Sequence, residues 1–95
     1  MTDREIVLRN LSAFRSACRE AIRRAISQGS TGCNPVLFAV KWDDIEEKFR
    51  IAVLSPDANP NDYIAGFASE DYRAFRSNGI ENSIDEAVYA CTIEY

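Results

Sequence analysis

Residues 36–54 read VLFAVKWDDIEEKFRIAVL, from Val36 to Leu54. In the first arm, Val36, Phe38, Val40 and Trp42 alternate with Leu37, Ala39 and Lys41. In the second, Phe49, Ile51 and Val53 alternate with Arg50, Ala52 and Leu54. A period of two places each set on one face of a strand. The arms lie so close in sequence that they pair most simply as an antiparallel hairpin, with Asp43-Asp44-Ile45-Glu46-Glu47 as its loop.

Upstream, residues 3–28 read as one long helix. Val7, Leu11, Phe14, Cys18, Ile22 and Ala25 recur at helical spacing and mark one apolar face. Thr2 or Asp3 suits the N-cap, and Gly29 suits a left-handed helix end. Residues 29–35, GSTGCNP, are a loop by composition. Downstream, Pro56 and Pro60 mark a long turn. Residues 63–69 read as a candidate third strand, and Gly66 would mark a bulge there. Ser69 caps an expected short helix over 70–78, with Tyr72 and Phe75 facing in and Gly79 ending it. Ser83 and Glu86 form a capping box for a last helix burying Ile84, Val88 and Cys91 and fraying toward Tyr95. The expected architecture is α+β. It comprises a long N-terminal helix, an antiparallel hairpin of two or three strands, and two short C-terminal helices packed on one sheet face.

The chain of 95 residues fits a single compact domain. Its 46% hydrophobic and 27% charged residues are ordinary for a water-soluble protein. No stretch approaches the roughly 20 apolar residues that span a bilayer. No basic start leads into an apolar run and cleavage site, so the expectation is a cytoplasmic protein without membrane contact. Cys18, Cys33 and Cys91 have neither zinc spacing nor a C-x-x-C pair, and read as free thiols of a reducing compartment.

Histidine is absent. That removes Ser-His and Cys-His nucleophile activation, the commonest general base at neutral pH and the usual zinc ligands. No catalytic constellation and no cofactor site remain, so the expected class is non-catalytic. The net charge is −4, unevenly placed. Residues 1–28 carry six arginines against Asp3, Glu5 and Glu20, a net of +3, and residues 29–95 carry −7. The acidic balance argues against direct nucleic-acid binding.

Two constellations stand out. In the hairpin loop, Asp43, Asp44, Glu46 and Glu47 surround Ile45 and follow Trp42. The loop has no glycine and no Asp-x-Asp-x-Asp-Gly spacing, which argues against a cation site. Exposure argues against a catalytic carboxylate pair, since one member must be desolvated. A solvated turn is the simplest account. An acidic patch for a basic protein surface, with Trp42 as an aromatic anchor, is the functional one. Ile45 favours it, because a plain turn more often places Gly or Asn at its tip. In the first helix, Arg15, Arg19 and Arg23 form a ridge beside the apolar stripe. They are suited to an anion or partner, or simply to solvent.

Residues 29–32, GSTG, lack the strand-to-helix context of a phosphate loop, and Cys33 has no histidine to activate it. The aromatics Tyr63, Phe67, Tyr72, Phe75, Tyr89 and Tyr95 read mainly as core, or as a surface for a partner. Together these features point to a small acidic protein that binds another protein as an inhibitor, immunity-type protein or adaptor. Phages and mobile elements encode proteins of this general kind. The alternatives are a module gripping an anionic ligand between sheet and helices, through the arginine ridge or Tyr63 and Tyr72, and a homo-oligomeric structural subunit. A homodimer is compatible with each.

Overall fold

Thr2 opens the first helix of the computed structural model, its Oγ1 accepting from the Glu5 N–H at 3.3 Å. The structure describes residues 2–28, 36–55, 58–59, 62, 67, 72–77 and 80–92. Helix α1 spans Asp3–Arg9 and α2 spans Leu11–Ser27. The expected single helix over 3–28 is therefore two helices. The break is Asn10, whose φ of −127° and ψ of 37° leave the helical region. Its side-chain Nδ2 donates to the Ile6 carbonyl at 2.9 Å, and its backbone N–H is shared between the Ile6 and Val7 carbonyls. A short amide that bonds nearby backbone offers the chain an alternative to continued helix. The apolar stripe survives the break, with Val7, Phe14, Cys18, Ile22 and Ala25 buried. Leu11, directly after it, is left 39% exposed.

Strands β1 (Val36–Asp43) and β2 (Lys48–Val53) form the expected antiparallel hairpin, in register from Phe38 opposite Val53 to Asp43 opposite Lys48. Strand β3 (Arg73–Ser77) pairs antiparallel with the other edge of β1, from Val36 opposite Ser77 to Val40 opposite Arg73. The order β2-β1-β3 makes β1 central. That is why its apolar run is buried from Leu37 to Val40, on both faces.

β3 corrects the expected helix over 70–78. Tyr72 and Phe75 are three apart, a spacing that fits one turn of helix. Arg73, Phe75 and Ser77 against Tyr72, Ala74 and Arg76 fit a strand equally well. The open edge of β1 decides, because pairing there satisfies backbone groups that a helix would leave unmet on the sheet. Helix α3 spans Ile80–Thr92, so Ser83 lies inside the helix and is not its cap. Ile84, Ala87 and Cys91 are buried, and Val88 packs against the core. Of the two short C-terminal helices expected, the last is present, as a 13-residue helix that starts before Ser83. The loop at 29–35 with Gly29 and Cys33, the strand expected over 63–69 apart from Phe67, and the ends at Gly79 and Tyr95 lie outside the described residues.

The helices cover the sheet face that carries Phe38, Val40 and Phe75, with Trp42, Phe49, Ile51 and Val53 packed against the same core. This is a two-layer α+β arrangement. Asp3 ties its ends together. One carboxylate oxygen accepts from the Phe67 N–H at 2.6 Å, and the other accepts from Arg73 Nη1 at 2.9 Å. Arg73 Nη2 donates in turn to the Ala90 carbonyl at 2.9 Å. One mostly buried ion pair thereby links α1, β3 and the last turn of α3. Among the described residues, no helix is long and apolar enough to cross a membrane.

Candidate functional site

The hairpin loop is built from its acids. Asp43 ends β1, and one of its oxygens accepts from the Ile45 and Glu46 N–H groups at 2.9 and 3.1 Å. This Asx-type turn replaces the missing glycine or asparagine as the element that turns the chain. The other Asp43 oxygen accepts from Arg50 Nε at 2.7 Å. Glu46 reaches Lys48 Nζ at 2.8 Å and Arg50 Nη2 at 3.3 Å. The Glu46 N–H and then the Arg50 guanidinium hold the Asp43 carboxyl below its ordinary range. The bond from Lys48 does the same for Glu46. Both stay charged through the neutral range.

The four acids therefore divide into two pairs. Asp43 and Glu46 hold the turn. Asp44 and Glu47 are exposed and make no side-chain hydrogen bond or ion pair among the described residues. Ile45 stands between them, 94% exposed. Trp42 sits elsewhere: alternation turns it to the helix-covered face, where its ring meets Phe49 edge-on at 4.8 Å. It supports the base of the hairpin and does not stand beside the acids at the tip. Among the described residues, no group of three or more Cys, Asp or Glu side chains is placed to hold a metal ion.

Glu47 closes the loop in the left-handed region, at φ 52°. A side chain with a Cβ is strained there by about 1–2 kcal/mol, part of which glycine returns through its freer unfolded chain. Glu47→Gly is expected to raise the unfolding free energy by about 0.5–1 kcal/mol. A urea midpoint that stays level or falls would show that the turn holds Glu47 without strain.

The arginine ridge also divides. Arg15 Nη1 is 2.7 Å from Asp85 and joins α2 to α3. Arg19 and Arg23 follow along the outward edge of α2 and make no ion pair among the described residues. Ile26, on the same edge, is 43% exposed. Tyr72 lies beneath Lys41, whose Nζ is 5.8 Å from the ring centroid, on the sheet face opposite the helices. The ridge and Tyr72 are thus on opposite layers. Tyr63 lies outside the described residues. Phe67 and Phe75 are core, while Tyr89 is exposed on α3.

Cys18 and Cys91 are free and buried in the core. Burial pushes both thiols up to about 12. They are held as neutral thiols at physiological pH, which makes them poor nucleophiles. Sequence reasoning did not reach the pairing of Asp3 with Arg73. No feature near either residue marks it, because 70 positions separate them and only the fold brings them together. No known protein family, characterised protein or solved structure matches the chain.

Proposed function

We propose that this protein acts by binding another protein, as a non-catalytic inhibitor or adaptor, through the tip of the β1–β2 hairpin. Ile45 carries the reading. It is an apolar side chain 94% exposed on a turn that Asp43 and Arg50 lock in place. Holding such a side chain in water gains nothing for the fold, whereas a preformed turn lowers the entropic cost of docking it. Asp44 and Glu47 on either side favour a basic partner surface with a small apolar socket. Complementary charge speeds encounter, and the apolar contact supplies affinity at the centre. The working compartment on this reading is the reducing cytoplasm, in keeping with the free thiols of Cys18 and Cys91.

The test leaves Asp43 and Glu46 intact, because they hold the turn. Wild type and Ile45→Ser are compared for capture of partners from the source cell, and the captured protein is then titrated. A partner bound at least tenfold more weakly by Ile45→Ser, with the circular dichroism spectrum unchanged, is the expected result. Equal affinity would remove the tip from the interface. Absence of any captured protein would count against the binding role itself.

A further inference from the structure

Among the described residues, two sets of charges without ion pairs are complementary to each other. The hairpin tip presents two free carboxylates, Asp44 and Glu47, around an exposed isoleucine. The outward edge of α2 presents two free guanidiniums, Arg19 and Arg23, followed by the exposed Ile26. The spacings also correspond. Residues four apart on a helix have Cβ atoms about 6 Å apart. The ends of a four-residue turn such as 44–47 lie within about 7 Å of each other. Two carboxylates at that separation can meet two guanidiniums one helical turn apart, each through a charge-assisted hydrogen bond.

Among the described residues, neither set is paired inside the fold. Asp43 and Glu46 take Lys48 and Arg50, Arg15 takes Asp85, and Arg24 takes Glu20. From this arrangement we infer that the tip of one copy docks on the Arg19–Arg23–Ile26 edge of a second copy, so that the protein self-associates through opposite charges. The inference rests on the tip being the docking element, and it adds that the chain carries its own competing site. A foreign partner must then displace α2 of a neighbouring copy. Self-association would store the protein with its docking tip covered.

Sedimentation equilibrium of the intact chain tests this at concentrations from about 5 to 500 μM. Two variants and their equimolar mixture are compared with wild type: a tip reversal (Asp44→Lys with Glu47→Lys) and a ridge reversal (Arg19→Glu with Arg23→Glu). Asp44, Glu47 and Arg23 are exposed and Arg19 is half-buried, and circular dichroism checks that each variant is folded. The expected result is a concentration-dependent increase in mass for wild type that is weakened at least tenfold in either reversal. Association should return in the mixture, where lysine tips meet glutamate ridges and acidic tips meet arginine ridges. Raising salt to about 0.5 M should weaken the wild-type association, since the Debye length shrinks well below the 8 Å of physiological salt. A wild type that stays monomeric at every concentration overturns the inference. So does association that survives either reversal, or a mixture that fails to restore it. Because foreign-partner capture is read separately with Ile45→Ser, a monomeric wild type that still captures a partner through Ile45 overturns self-association alone.

Discussion

Phe14→Ala is expected to lower the unfolding free energy by about 3–5 kcal/mol, the range for deleting a fully buried phenylalanine. Phe14 is completely buried. Its ring stands edge-on to Phe49 at 5.3 Å, Phe67 at 5.8 Å and Phe75 at 6.2 Å. One side chain of α2 therefore touches β2, β3 and the turn at Phe67. Edge-to-face pairs contribute about 0.5–1.5 kcal/mol each beyond the area they bury. The three surrounding rings are held by separate elements and cannot all close on the space left behind. Domains of this size have total stabilities of roughly 5–15 kcal/mol, so the loss is a large share of the whole. Urea denaturation followed by Trp42 fluorescence measures it. Leu8→Ala, at a side chain left half-exposed on α1, is the control and should move the midpoint little. A loss below about 1.5 kcal/mol for Phe14→Ala would mean that the aromatic cluster repacks, and that Phe14 is not its centre.

The elements legible in the sequence are those whose periodicity has one solution. The hairpin alternates over both arms with a short gap, and its register follows. The stripe from Phe14 to Ala25 spans three turns of α2, too long for any strand. Residues 72–77 read as helix by the spacing of Tyr72 and Phe75, but six residues hold an extended pattern as well, and only the vacant edge of β1 decides for the strand. Periodicity hides the break at Asn10, because its neighbours stay in helical phase on either side. The signal was a short amide inside a helical run, and its competition for the Ile6 carbonyl is a local contest that periodicity does not register.

The candidate site was half legible. The acidic cluster and the exposure of Ile45 follow from the sequence. The division of labour among the four acids does not, because it depends on Arg50 lying across the ladder, near Asp43. Adjacency in sequence alone puts Trp42 beside the acidic patch. One residue of displacement along a strand reverses the face, and that places its ring against Phe49.

The same aromatic and aliphatic core that buries Phe14 encloses the two thiols, and it makes stability fall steeply in alkaline solution. Cys18 and Cys91 are raised from 9.0 to about 12, in both cases chiefly by burial. Below pH 9 both the folded and the unfolded chains hold these protons, and the thiols contribute no pH dependence. Above it the unfolded chain releases them while the folded chain keeps them. The folded state then binds more protons than the unfolded one, so stability falls as pH rises. Each thiol contributes a slope of about 1.4 kcal/mol per pH unit between its two values. From pH 8 to 10.5 the pair removes about 4 kcal/mol, a loss comparable to that of Phe14→Ala. Urea midpoints at half-unit steps under a reductant measure the slope. Tyrosine and lysine titrate near pH 10 as well, so the contribution of the thiols is the difference from Cys18→Ala with Cys91→Ala. That variant starts less stable, through its cavities, but its profile should be much flatter above pH 9. Cys91→Ala alone should keep about half the slope, because Cys18 remains buried in the core. A wild-type profile as flat as that of the double variant would mean that water reaches both sulfurs. The α2–α3 seam would then be looser than the burial of Ile22, Ile84 and Ala87 implies.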